Sequence, residues 1–78
     1  MGVAVSGARL RAEREAAGIL AIDVAAAMDC HSSVITQLES RATVVEARAR
    51  HYRRTVAVLA KQRQAARREL IRELAALR

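Results

Sequence analysis

A chain of 78 residues has room for one small domain, and a core of that size is marginal without a partner surface or self-association. Its hydrophobic share of 53% is rich in Ala, with one aromatic residue (Tyr52) and no Phe, Trp or Pro, which argues against a β-sandwich or barrel and for an all-α fold. The net charge of +6 is uneven: residues 1–40 hold three Arg against five acids, whereas 41–78 hold eleven bases against three.

Ser6 suits a helix N-cap, and the run from Gly7 to Ala17 is helical in composition, with Gly18 as a natural C′ stop. A second helix is expected from about Ala21 to Met28. Asp29-Cys30-His31-Ser32-Ser33 is the next break, because Asp and Ser bond readily to nearby backbone groups. A third helix follows, from Ser32 or Ser33 to Ser40. Ile35 and Leu38 share one of its faces, and Ser33, Thr36 and Gln37 share another.

Thr43-Val44-Val45-Glu46 reads as a capping box. Residues 44–78 contain no Gly and no Pro, and an unbroken helix there would be about 50 Å long. Its apolar stripe passes through Val45, Ala49, Tyr52, Val56 and Leu59, meets Arg63, and resumes through Ala66, Leu70, Leu74 and Leu77. The interruption predicts two tasks. The stripe through about Leu59 packs on the first three helices. The stripe beyond packs on a second copy, through Ala66, Leu70, Ile71, Leu74 and Leu77. The chain thus divides into a folded unit over 5–62 and a dimerising extension over 63–78.

The basic second half suggests an anionic partner, nucleic acid first, with a solvated Arg-rich face as the plainer alternative. Cys30 is the only cysteine, so no intrachain disulfide is expected; a small apolar packing role in a reducing cytoplasm suits it. His31 and His51 lack metal-ligand spacing, so neither a metal nor another cofactor is expected. With no Gly-rich phosphate loop and no nucleophile–base set, an enzyme is not expected. No stretch is long and apolar enough to span a bilayer, and the N-terminus lacks the basic and apolar regions of a signal peptide.

The stretch Leu10–Ser40, about 30 residues, resembles the lambda-repressor-like helix-turn-helix proteins (Cro/C1-type, the XRE family). The resemblance rests on Leu10-Arg-Ala-Glu-Arg14, Gly18-Ile19, Val24-Ala25, Met28 and Val34-Ile-Thr-Gln-Leu-Glu-Ser40. It implies a four- to five-helix domain with a long C-terminal helix, reading a palindromic DNA operator as a homodimer. Ala25 would be the small residue between the second and third helices. Arg14 and Glu39 would form a structural ion pair. Ser32, Ser33, Thr36 and Gln37 would contact bases. Arg41, Arg48 and Arg50 would contact phosphates, with Arg53 a further candidate.

Three positions depart from the family. Ala21 stands where Gln often bonds a phosphate, Asp29 replaces the turn Gly, and His31 takes a Ser/Thr capping position, so that Ser32 or Asp29 is expected to cap. The implied role is a phage or prokaryotic transcription regulator. The rival is an interaction module, such as an antitoxin or a small phage protein that binds a host factor. A third reading is a basic coiled coil that binds nucleic acid without sequence preference.

Overall fold

The computed structural model describes residues 4–77. Among the described residues the fold is all-α, with four helices in the order α1 (Gly7–Ala16), α2 (Ala21–Ala27), α3 (Ser32–Glu39) and α4 (Glu46–Ala76). Among the described residues no helix is long and apolar enough to cross a membrane.

Ser6 starts α1: its backbone is extended and its Oγ accepts from the Arg9 amide at 3.1 Å. The helix stops where Gly18 turns left-handed, at φ 72°. Gly7 has a tertiary task that composition does not reveal. A Cβ there would lie 2.6 Å from the carbonyl carbon and oxygen of Glu39, at the end of α3. The Gly7 amide also donates to the Arg41 carbonyl at 2.9 Å, so the start of α1 is fastened to the chain leaving α3.

The turn between α2 and α3 uses Asp29 at φ 55°, a left-handed position without glycine. Neither Ser32 nor Asp29 caps α3. His31 does, its imidazole Nδ1 accepting from the Ser33 amide at 3.1 Å. Asp29 is committed to the turn, and Ser32 is already the first helical residue.

The capping box expected at Thr43–Glu46 does not form. The Val44 amide donates to the Val5 carbonyl at 2.7 Å, and this antiparallel bridge holds Val44 extended. The helix therefore begins at Glu46, behind Val45, which makes no side-chain capping bond. Once begun, α4 runs unbroken to Ala76; Arg78, the last residue of the expected helix, lies outside the described residues. Its 31 residues make a rod of about 46 Å.

The core gathers Leu10 from α1, Ile19, Val24 and Ala25 from around α2, Ile35 and Leu38 from α3, and Val44, Ala49, Tyr52 and Val56 from α4 and its approach. Half-buried Leu59 and Ala60 close that core. Every described residue from Lys61 onward is exposed. Arg63 interrupts the apolar stripe because its guanidinium donates to the Gly18 carbonyl, at the C-terminal end of α1. The two parts of the stripe thus lie on one unbroken helix: Ala49, Tyr52, Val56 and Leu59 are covered, the part beyond Arg63 is bare, and Val45, expected to head the covered part, is its N-cap and stands 66% exposed.

Gly7→Ala tests the close approach of α1 to α3. Ala is the better helix former by about 1 kcal/mol. The backbone of Glu39 cannot move aside cheaply, so the variant should instead lose about 1–3 kcal/mol. Urea unfolding measures this, and a stabilised variant would contradict the packing described.

Candidate nucleic-acid interface

The outer face of α3 is positioned by a buried polar network on its other side. Arg14 of α1 meets Glu39 of α3 in a bidentate pair, Nε to Oε2 at 2.8 Å and Nη2 to Oε1 at 3.0 Å. Each residue is 8% exposed. Arg14 Nη1 also donates to the Ile19 carbonyl at 2.9 Å, and the Tyr52 hydroxyl of α4 donates to Glu39 Oε2. One carboxylate therefore holds three helices together, and no buried side-chain polar atom among the described residues lacks a partner.

Burial pushes Glu39 upward, but the bonds from Arg14 and Tyr52 and the Arg14 charge outweigh it and hold the carboxyl below its ordinary range. The bond to Glu39 raises Arg14 further. Burial, then the bond to Glu39, push the Tyr52 phenol well above its usual value. The apolar stripe places Tyr52 in the core, but nothing in the sequence assigns a role to its hydroxyl.

With Ile35, Leu38 and Glu39 buried, α3 turns Ser33, Thr36 and Gln37 outward, and Ser32 is half-buried. Thr36 Oγ1 donates back to the Ser32 carbonyl at 3.1 Å, and Ser33 Oγ lies 2.9 Å from His31 Nδ1. Gln37 has no such local bond among the described residues, so its amide is available as both donor and acceptor. This face is polar, uncharged and rigidly backed, and it can exchange hydrogen bonds with a patterned surface.

The basic residues grouped in sequence differ in their surroundings. Arg41 is exposed in the connection between α3 and α4. Arg50 is exposed on α4, with Glu46 at 3.7 Å. Arg48, two residues earlier, projects from another side of that helix. It lines an apolar groove of about 410 Å³ with Met28, Cys30, Val34, Leu38 and His51. Arg53 is taken by Glu13, with Nε and Nη2 each 2.8 Å from a carboxylate oxygen. Those bonds draw the Glu13 carboxyl down despite some burial. Arg53 is therefore an interhelical tie between α1 and α4 rather than a free cation, a role that only the fold reveals.

Cys30 is partly buried against the core. Ala66, Leu70, Ile71, Leu74 and Leu77 all stand exposed on distal α4. Among the described residues no group of three or more His, Cys, Asp or Glu could hold a metal ion. No family model, curated protein or solved structure matches the chain.

Glu39→Ala should cost about 3–5 kcal/mol, because it strands the buried Arg14 charge. The pH dependence has a definite sign. The depressed folded pKa of Glu39 contributes stability that is complete above the unfolded value, near 4.5, and is lost as pH falls through the folded value. The unfolding midpoint of the wild type should therefore decline below about pH 4.5 more steeply than that of Glu39→Gln. Equal slopes in a series of unfolding curves would remove Glu39 from this role.

Proposed function

We propose that the protein is a sequence-specific DNA-binding regulator of the lambda-repressor-like type, in which α2 and α3 form the helix-turn-helix and α3 enters the major groove. The observation that carries this reading is the outer face of α3. Ser33, Thr36 and Gln37 point out from a short helix whose other side is locked by Ile35, Leu38 and Glu39. A helix of this size fits the major groove, and a Gln amide can bond both N6 and N7 of adenine.

Because α3 contains no Arg or Lys, cations outside it must supply the attraction to phosphate. Arg41 and Arg50 take that role, with Ser32 near the backbone at the helix start. Residues 5–62 form the reading unit. The segment 63–78 carries dimer contacts, since one α3 reads too few base pairs to specify an operator and two-fold pairing doubles the site. The role fits a cytoplasmic, non-enzymatic protein of phage or prokaryotic origin.

One observation favours an interaction module instead. Leu20 and Ile22 stand exposed at 61% and 63% at the start of α2, and Ala21, its first helical residue, has no side-chain donor for a phosphate. Binding to a selected operator and to its scrambled version separates the readings. The regulator discriminates strongly, the module binds neither, and a basic coiled coil binds both alike.

Gln37→Ala should weaken the preferred site by about 1–3 kcal/mol and relax preference at one base pair per half-site. Arg50→Ala should weaken all sequences nearly equally and lower the salt slope by about one per lost phosphate contact. Competition against single-base variants at two salt concentrations reads both effects. Unchanged base preference in Gln37→Ala would remove α3 from the groove.

A chain ending at Gln62 should sediment as a monomer at concentrations where the full chain is a dimer. A persistent dimer would move the contacts off distal α4.

A further inference from the structure

One face of α4 changes sign along its length. Its proximal half carries Arg48, His51 and Arg54, and its distal half carries Glu69 and Glu73, with Arg72 at its edge in line with Arg54, all exposed. Between them the same face bears Val58, Gln62 and Ala65, at the three- and four-residue spacings that keep a helix face in line. The ion pairs among the described residues do not include Arg48, Arg54 or Glu73, and Glu69 has only an exposed Arg72 at 3.8 Å.

We infer that the protein dimerises by antiparallel pairing of this α4 face with that of a second copy, the distal half of each helix lying in the groove beside the proximal half of the other. The inference rests on the regulator reading for its purpose but not for its geometry.

Antiparallel two-fold pairing puts the same flank of each helix on the same side of the contact. Arg48 and Glu73 lie on one flank, Glu69 lies in line with His51 at the middle of the face, and Arg54 and Arg72 lie in line on the other flank. With residues near 61 at the two-fold axis, Arg48 meets Glu73 of the second copy, giving two ion pairs by symmetry. A parallel pairing would set base against base and acid against acid.

The apolar residues agree with that register. The Arg48 flank is where the groove wall rises, formed by Met28, Cys30 and Val34. The flank of distal α4 that turns towards this wall carries Leu70, Leu74 and Leu77. Val34 and Val58, 45% and 49% exposed on this side, are covered by the same contact. Burying such a stripe drives association, and the charges set its direction.

The register also fixes a distance. The groove places α3 alongside Ala47–His51. That point is about 12 residues from the two-fold axis, so at 1.5 Å per residue the two α3 helices stand about 36 Å apart along α4. One turn of B-DNA separates half-sites by about 34 Å. In this arrangement Arg48 belongs to the dimer, leaving phosphate contact to Arg41 and Arg50.

Charge reversal tests the pairing. In sedimentation equilibrium Arg48→Glu alone and Glu73→Arg alone should each weaken the wild-type dimer about tenfold or more, because each reversal acts at two symmetric positions. The double variant Arg48→Glu/Glu73→Arg should return to within about threefold of wild type. All these positions are exposed, and circular dichroism confirms that each variant is folded. Leu74→Cys gives a second readout. On oxidation its introduced thiol should join Cys30 of the other copy, identified by peptide mass, rather than the introduced thiol of the other copy. A monomeric wild type, reversals without effect, no rescue, or a link between the two introduced thiols would each overturn the inference. Operator discrimination that survives those results would leave the regulator reading standing. Loss of discrimination with an intact charge-paired dimer would do the reverse.

Discussion

The Arg14–Glu39 pair is the interaction on which the rest depends. A carboxylate at the end of α3 is an expensive group to bury, and it is tolerated because a guanidinium grips both oxygens and a phenol completes the shell. Apolar packing alone would let the short α3 roll about its axis, since Ile35 and Leu38 are its only buried hydrophobic residues. A bidentate bond has direction, and it fixes the rotation of α3 as well as its place. The outward aim of Ser33, Thr36 and Gln37 follows from that constraint. The buried pair thereby sets which polar side chains of α3 face outward.

A second layer of ties secures the ends of the elements. The Gly7 amide on the Arg41 carbonyl and the Val5–Val44 bridge close the chain after α3 onto its beginning. Arg53 fastens α4 to α1 through Glu13, and Arg63 fastens it again through the Gly18 carbonyl. These contacts compensate for a core of only ten buried apolar residues, one of them Tyr52 and two of them Ala. They also engage part of the positive charge of an Arg-rich chain within the fold.

What is legible in the sequence is local. The Ser6 cap, the Gly18 stop and the two faces of α3 follow from short-range rules, and the structure has each of them. The all-α class follows from composition. The start of α4 shows the limit of such rules. Thr43 and Glu46 have the right spacing, but a backbone bond to Val5, some forty residues away, keeps Val44 out of the helix. His31 is an unexpected cap because hydroxyl and carboxylate side chains usually win that position, and here they are otherwise engaged. The groove containing Arg48 and the tie of Arg53 to Glu13 depend on how α4 crosses the other helices, which no local pattern specifies.

The unbroken course of α4 has an evolutionary consequence. A helix advances by about 100° per residue, so inserting or deleting one residue past Arg63 would swing the whole distal face away from its bearing on the domain. Changes of seven or eleven residues keep the phase to within about 20°, and they shift the tip by about 10 or 16 Å. Surface loops drift in length freely, but this rod cannot. Its length should behave as a quantised trait, with relatives differing by about seven or eleven residues in α4 while the turns of the domain vary residue by residue.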